Sequence, residues 1–252
     1  MTRGLSVLCG VMDLGARQWR KRTTWPMCAR HWPSRALVWG NITKPGALGS
    51  IDVVKRVFVI ASGLTEQRAV PHLVSHLEKA GVSLAGVRFP PRNQALNADR
   101  AARIIRFVWQ AQPDNRPNKF VVVVDTDMTE PGNVVDPIEK GLRSRLSGIR
   151  AEVLCAYAQQ HLEAWYFADS RNLQSLLGRS LGKVDASKPD EIQNPKLHLK
   201  HLLGDRFYTA RVSEDIARNL NAETIAERSP SFRGFLQAFT NGSATKGSGS
   251  PP

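Results

Sequence analysis

Cysteine is scarce in this sequence: three among 252 residues, Cys9, Cys28 and Cys155, all far apart. No metal-finger or redox spacing arises from them. A sparse, odd count excludes a disulfide framework and points to a reducing compartment, the cytoplasm. Long apolar runs are missing too. None approaches the roughly 20 residues needed to cross a bilayer, so no membrane partner is expected. There is no phosphate loop of the Walker type, and no Ser-His-Asp arrangement can be read. His72 and His76 lie four apart without the glutamate of a zinc protease, and His198 and His201 lie three apart without a neighbouring carboxylate. Surface or packing roles are expected for these four. Acidic residues are nearly absent from the first fifty positions, where eight Lys and Arg face only Asp13, a net +7 of the chain's +13.

That opening stretch holds four of the six tryptophans and no sustained helical or strand period. Residues 1–52 read as a disordered basic extension, a translation start upstream of the fold, with a basic nucleic-acid arm as the alternative. Residues 241–252 are rich in Gly, Ser and Pro and read as a disordered tail. Between them, a chain with 42% hydrophobic residues can bury a sizeable core.

The most informative segment is Lys119-Phe-Val-Val-Val-Val-Asp125-Thr-Asp127. Its β-branched run predicts a strand buried on both faces, as in a parallel sheet. Two carboxylates close it, and the two-residue strand period predicts that Asp125 and Asp127 project to the same side. Like charges placed together need a cation or a proton to relieve them. Ligands in open α/β sheets bind outside the carboxyl ends of strands, so a divalent-metal site is expected there, with an acidic loop as the bland alternative.

The remaining pattern predicts strands at 56–61, 82–89 and 149–157, with helices between them. Thr65 is the expected N-cap of the first helix, Pro71 should kink it or delay its regular part, and Gly81 should stop it. Asp136, Pro137 and Glu139 predict a capped helix start. The order β-α-β-α-β-α-β argues a mainly parallel four-stranded sheet flanked by helices. It would span 53–160, with a helical C-terminal part at 161–240 packed on it. Glu66, just after the first strand, becomes a third candidate carboxylate if strands one and three are neighbours. Its alternative role is to complement the helix dipole. Three carboxylates on two loops suit Mg²⁺ or Mn²⁺. Glu163 either reaches that metal edge or pairs with a basic residue. Asp169, six positions on, does not share its helical face, and Trp165 is expected in the core. Lys140, Arg143, Arg145 and Arg150 read as a solvated basic helix face, with guidance of a phosphate backbone as the functional alternative.

A strand leading into Gly63-Leu-Thr-Glu66 and a later strand ending in Asp125-Thr-Asp127 resemble the Toprim fold of topoisomerases, primases and the overcoming-lysogenization-defect nucleases. Leu162-Glu-Ala-Trp-Tyr-Phe-Ala-Asp169, Asn194-Pro-Lys196 and Ser229-Pro-Ser-Phe232 resemble, more narrowly, the bacterial domain-of-unknown-function family 4276. The resemblance implies an α/β, Toprim-like, Mg²⁺-dependent nuclease with Glu66, Asp125 and Asp127 as catalytic and metal-holding residues. It also implies nucleic-acid substrates and an ATPase partner in phage or mobile-element defence. Related nucleases read Glu-Gly-x-Thr-Glu after the first strand; here the first glutamate position is Ser62, which puts a two-metal clamp in doubt. A non-catalytic interaction module is therefore the alternative. A receiver-like phosphoacceptor fits poorly, because its acidic pair would follow the first strand.

Overall fold

Four strands run parallel in the order β2-β1-β3-β4 in the computed structural model, which describes residues 55–91, 94–204 and 207–240. They are β1 (Lys55–Ile60), β2 (Val82–Arg88), β3 (Lys119–Asp125) and β4 (Glu152–Ala158). The expectations for 1–52 and 241–252 lie outside the described residues. The α/β class and the flanked parallel sheet predicted from the sequence are the ones observed.

The path of the chain reverses direction after β2. With right-handed crossovers, that reversal must put the first connecting helix on one face of the sheet and the next two on the other. The core divides accordingly. Val57, Val59 and Ala61 pack with Val121 and Val123 against α1 (Leu64–Val74) and the C-terminal helices. The alternate residues Phe58, Ile60, Phe120, Val122 and Val124 pack against α2 (Ala98–Ala111) and α3 (Pro131–Arg145). The two-residue period thus sorts each strand between two apolar layers, which explains why β3 reads as continuously hydrophobic.

Several local expectations are corrected. Thr65 does not cap α1; Gly63 occupies the N-cap without a side-chain bond. Pro71 lies inside α1, which stays regular to Val74 and tightens to a 3₁₀ turn over Ser75–Ala80 before Gly81 ends it in a left-handed conformation. Asp136 and Pro137 do not open α3, whose first turn begins at Pro131. The earlier start lets Val134 and Val135 pack against the same layer as Ile138 and Leu142, and that burial outweighs the local capping signature.

After β4 come α4 (Glu163–Ala168), α5 (Ser170–Leu177), α6 (Pro195–Leu203), α7 (Ala210–Asn219), α8 (Ala222–Arg228) and α9 (Pro230–Thr240). Every residue of α4 is buried. Trp165 stacks on Phe235 at 5.1 Å and meets Phe232 edge-on at 5.0 Å. Its indole N–H donates to Ser231 Oγ at 2.8 Å, and that hydroxyl donates to Asp190. At the opposite edge of the sheet, Lys119 is fully buried, with its ammonium 3.0 Å from Glu152 Oε2 and 2.9 Å from the carbonyl of Ala238. Lys55 donates to the carbonyl of Thr240. Two cations therefore satisfy carbonyls in the last turn of α9, where the helix dipole is negative. Among the described residues no helix is long and apolar enough to cross a membrane.

Candidate metal centre

The switch point of this sheet lies between β1 and β3, where the strand order reverses. A crevice opens there outside the carboxyl ends of the strands. Ile60 is opposite Val122, so the next residues of the chain, Ser62 and Gly63, come beside Val124 and Asp125. Gly63 leaves room for the carboxylate: a Cβ at this position would stand 3.1 Å from Glu66 Oε2, a tight contact that would shift the carboxylate by a few tenths of an ångström. The Gly-x-x-Glu spacing thereby folds Glu66 back over the start of α1, where it is buried.

A second set of bonds brings Glu163 to the same edge. The Thr126 N–H donates to the Ala158 carbonyl and the Asp127 N–H to that of Gln160. The Gln160 N–H donates to Thr126 Oγ1 at 2.7 Å, and the Leu162 N–H to Asp125 Oδ1 at 3.2 Å. The loops after β3 and β4 are laced together, and α4 starts immediately beyond the lacing. Glu163 is only 1% exposed. The Tyr208 hydroxyl donates to its Oε1 at 2.7 Å, Lys196 Nζ lies 4.0 Å from that oxygen, and Oε2 has no hydrogen-bond partner. Lys196 arrives on α6, whose preceding residue Asn194 donates its N–H to Gln160 Oε1.

Burial first, then the charges of Glu66, Glu163 and Asp127, push the Asp125 carboxyl well above the usual range, with Lys196 acting against them. Burial also raises Glu66, and the Glu163 charge adds to it. The amides of Glu66 and Gly63 and the Lys196 ammonium pull the other way. Burial, reinforced by Tyr166 and Glu163, lifts the Tyr208 hydroxyl, which stays protonated as a donor. A buried carboxylate with a raised pKa favours the fold when protonated, and that contribution drains away as pH rises through the raised value. In chelator, the melting temperature should therefore fall as pH rises from the ordinary carboxylate range through the raised values of Asp125 and Glu66. Thermal denaturation across that series checks it, and saturating Mg²⁺ should flatten the trend.

Asp127 sits differently. β3 ends at Asp125, and Asp127 takes a left-handed φ of 44°, so the strand alternation expected to carry both aspartates to one side does not extend to it. Its side chain is 74% exposed and lies 2.9 Å from His161 Nε2. It still lines the same cavity as Asp125 and adds to that residue's electrostatic load. Ser62 also lines the cavity, its hydroxyl directed at the Val123 carbonyl at 3.5 Å. Asp169 plays a separate part, accepting the N–H groups of Asn172 and Asn221 at the start of α5 and α8. Of the basic stretch, Arg143 pairs with Glu139 and Arg145 with Asp99.

Among the described residues, no three His, Cys, Asp or Glu side chains converge as a ready-made metal cage. The donor chemistry nonetheless suits a hard cation: carboxylate oxygens, one of them on Glu163 buried without a partner, with the Glu163 charge raising Glu66 and both charges raising Asp125. Mg²⁺ commonly keeps several waters and binds through one or two carboxylates, so it does not need a closed protein cage. Lys196, Tyr208 and His161 are parts of the site that sequence reasoning missed. The Asn194-Pro-Lys196 segment was the one available signal, and it carried no role.

A family model described as "Domain of unknown function (DUF4276)" matches residues 63–240. The C-terminal region of the Xanthomonas campestris pv. campestris OLD protein is a structural neighbour at 16% identity and a TM-score of 0.37, covering 73% of this chain and 93% of that one. No curated protein matches the chain.

Proposed function

The chain belongs to the DUF4276 family, and we propose that it is a divalent-metal-dependent enzyme that hydrolyses nucleic-acid phosphodiesters. The observation that carries this reading is the gathering of Glu66, Asp125 and Glu163, electrostatically coupled, at the switch point of a parallel sheet. Gathered carboxylates destabilise a fold unless a proton or a cation relieves them, and a divalent ion is the occupant that would also supply chemistry.

Asp125 would be the central ligand of Mg²⁺ or Mn²⁺, with Glu66 and Glu163 holding it directly or through water. Such an ion neutralises phosphoryl charge and lowers the pKa of a bound water. Tyr208 keeps Glu163 oriented by donating to Oε1, which leaves Oε2 as its open acceptor. Lys196 balances part of the negative charge before a cation arrives. Asp127, held by His161 on the exposed rim, faces the substrate side and contributes field.

A non-catalytic module that retains the fold is the second reading. Ser62 favours it, because a neutral hydroxyl stands where the resembling nucleases have a carboxylate. Nucleic-acid partners, an ATPase partner and a defence role belong to the same proposal. Purified protein incubated with single-stranded DNA, double-stranded DNA and RNA separates the two readings. Cleavage that appears with Mg²⁺ or Mn²⁺ and stops with chelator supports the enzyme. Metal-independent cleavage, or none on any substrate, removes it.

A further inference from the structure

The acidic edge opens into a cavity of about 420 Å³, within the roughly 300–1,000 Å³ typical of small-molecule sites. Phe89, Leu96, Val124 and Val134 supply its apolar lining, while Asp125 and Asp127 form one edge. Among the described residues that line it there is no Lys or Arg. A phosphate does not belong against this wall, since carboxylates border it and no Lys or Arg among the described lining residues offsets them. An apolar, flat group with hydrogen-bonding edges does. Gln94 stands on the wall; its Oε1 accepts from Arg100 Nε at 3.0 Å, which leaves the amide N–H₂ as donor.

We infer that this cavity receives the base of the nucleotide adjoining the phosphate that is cut, and that the substrate strand is therefore unpaired. The inference rests on the phosphodiester reading above and names its substrate class. Asp125 belongs to both the buried carboxylate group and the cavity wall. A phosphate held at that residue would thus carry its neighbouring base to the cavity mouth. Phe89 offers a ring for stacking, and Asp127 and Gln94 offer one acceptor and one donor to the base edge. A base inside a duplex is stacked and paired and cannot enter without being extruded.

Two measurements test this on the full chain. The first titrates the protein, in Ca²⁺, into a single-stranded oligonucleotide carrying 2-aminopurine. Binding should quench its fluorescence, Phe89→Ala should remove the quenching, and a duplex of the same sequence should show little. Gln94→Ala, at an exposed position, should weaken binding without disturbing the fold. The second compares cleavage in Mg²⁺ of an intact strand with strands made abasic at successive positions. One abasic position should slow the adjoining cut by roughly 5- to 150-fold, the value of one stacked base. Equal cutting and equal binding of abasic strands would overturn the cavity assignment and leave the nuclease reading standing. If nothing is cut, the nuclease reading falls and the titration alone decides the cavity: quenching that depends on Phe89 keeps it, and its absence ends it.

Discussion

Asp125→Asn is expected to abolish metal-dependent cleavage and, in the metal-free protein, to raise the melting temperature at neutral pH. The two effects have one cause. Asp125 is half-buried, accepts a single backbone N–H and is loaded by three neighbouring carboxylates, so its ionised form destabilises the empty fold. Asparagine keeps the oxygen that accepts from Leu162 and discards the charge. The raised carboxyl pKa means that the protonated form is the stabilising one. Its contribution is complete below the ordinary aspartate range and lost above the raised value. At neutral pH the wild type bears that loss and the variant does not. Activity should move the other way, by at least about 100-fold, because loss of an outer partner of a metal ligand already costs about 10–100-fold. Melting in chelator and cleavage in Mg²⁺ read the two sides of this opposition. A variant that is both less stable and fully active would contradict it.

Trp165→Ala should cost about 3–5 kcal/mol of stability, the usual range for deleting a buried aromatic side chain. The indole is fully buried between Phe232 and Phe235, and its N–H joins the Ser231–Asp190 network at the start of α9. Truncation removes the ring contacts and one hydrogen bond together. Against a typical total of about 5–15 kcal/mol, that is a large share. In a unit of this size the melting temperature should drop by roughly 6–20 °C. Urea denaturation measures the loss. Trp165→Phe should recover much of it, since it restores most apolar area and lacks only the N–H donor. Because Trp165 lies two residues after Glu163 on the same buried helix, the alanine variant should also weaken divalent-ion binding.

The sheet was legible because its strands are buried on both faces. β3 is an unbroken apolar run, and the residues flanking β1 and β3 carry turn or acidic signals strong enough to mark their ends. Glu66 and Asp125 followed from topology, since neighbouring parallel strands deliver their carboxyl ends to one edge. The C-terminal part was less readable. α7 buries Ser213, Ile216 and Ala217, so its inner face carries few large apolar residues, although that face is sharply set apart from the polar one. α8 spans seven residues and buries only Ile225. Lys196 and Tyr208 reach Glu163 across 33 and 45 positions of chain, and no local spacing encodes such contacts. Asp127 lies past the end of β3, where the two-residue period no longer fixes its direction, yet it lines the same cavity as Asp125. Asp136 carried a capping signature, but α3 begins earlier because the valines before it are drawn into the core.

Isothermal titration of the full chain with Mn²⁺ tests most directly whether the buried carboxylates bind a cation. Saturable binding is predicted for the wild type, greatly weakened in Asp125→Asn and in Glu163→Gln and little changed in Asp169→Asn, whose carboxylate caps helices away from the site. Absence of binding, or binding indifferent to Asp125, would contradict the account.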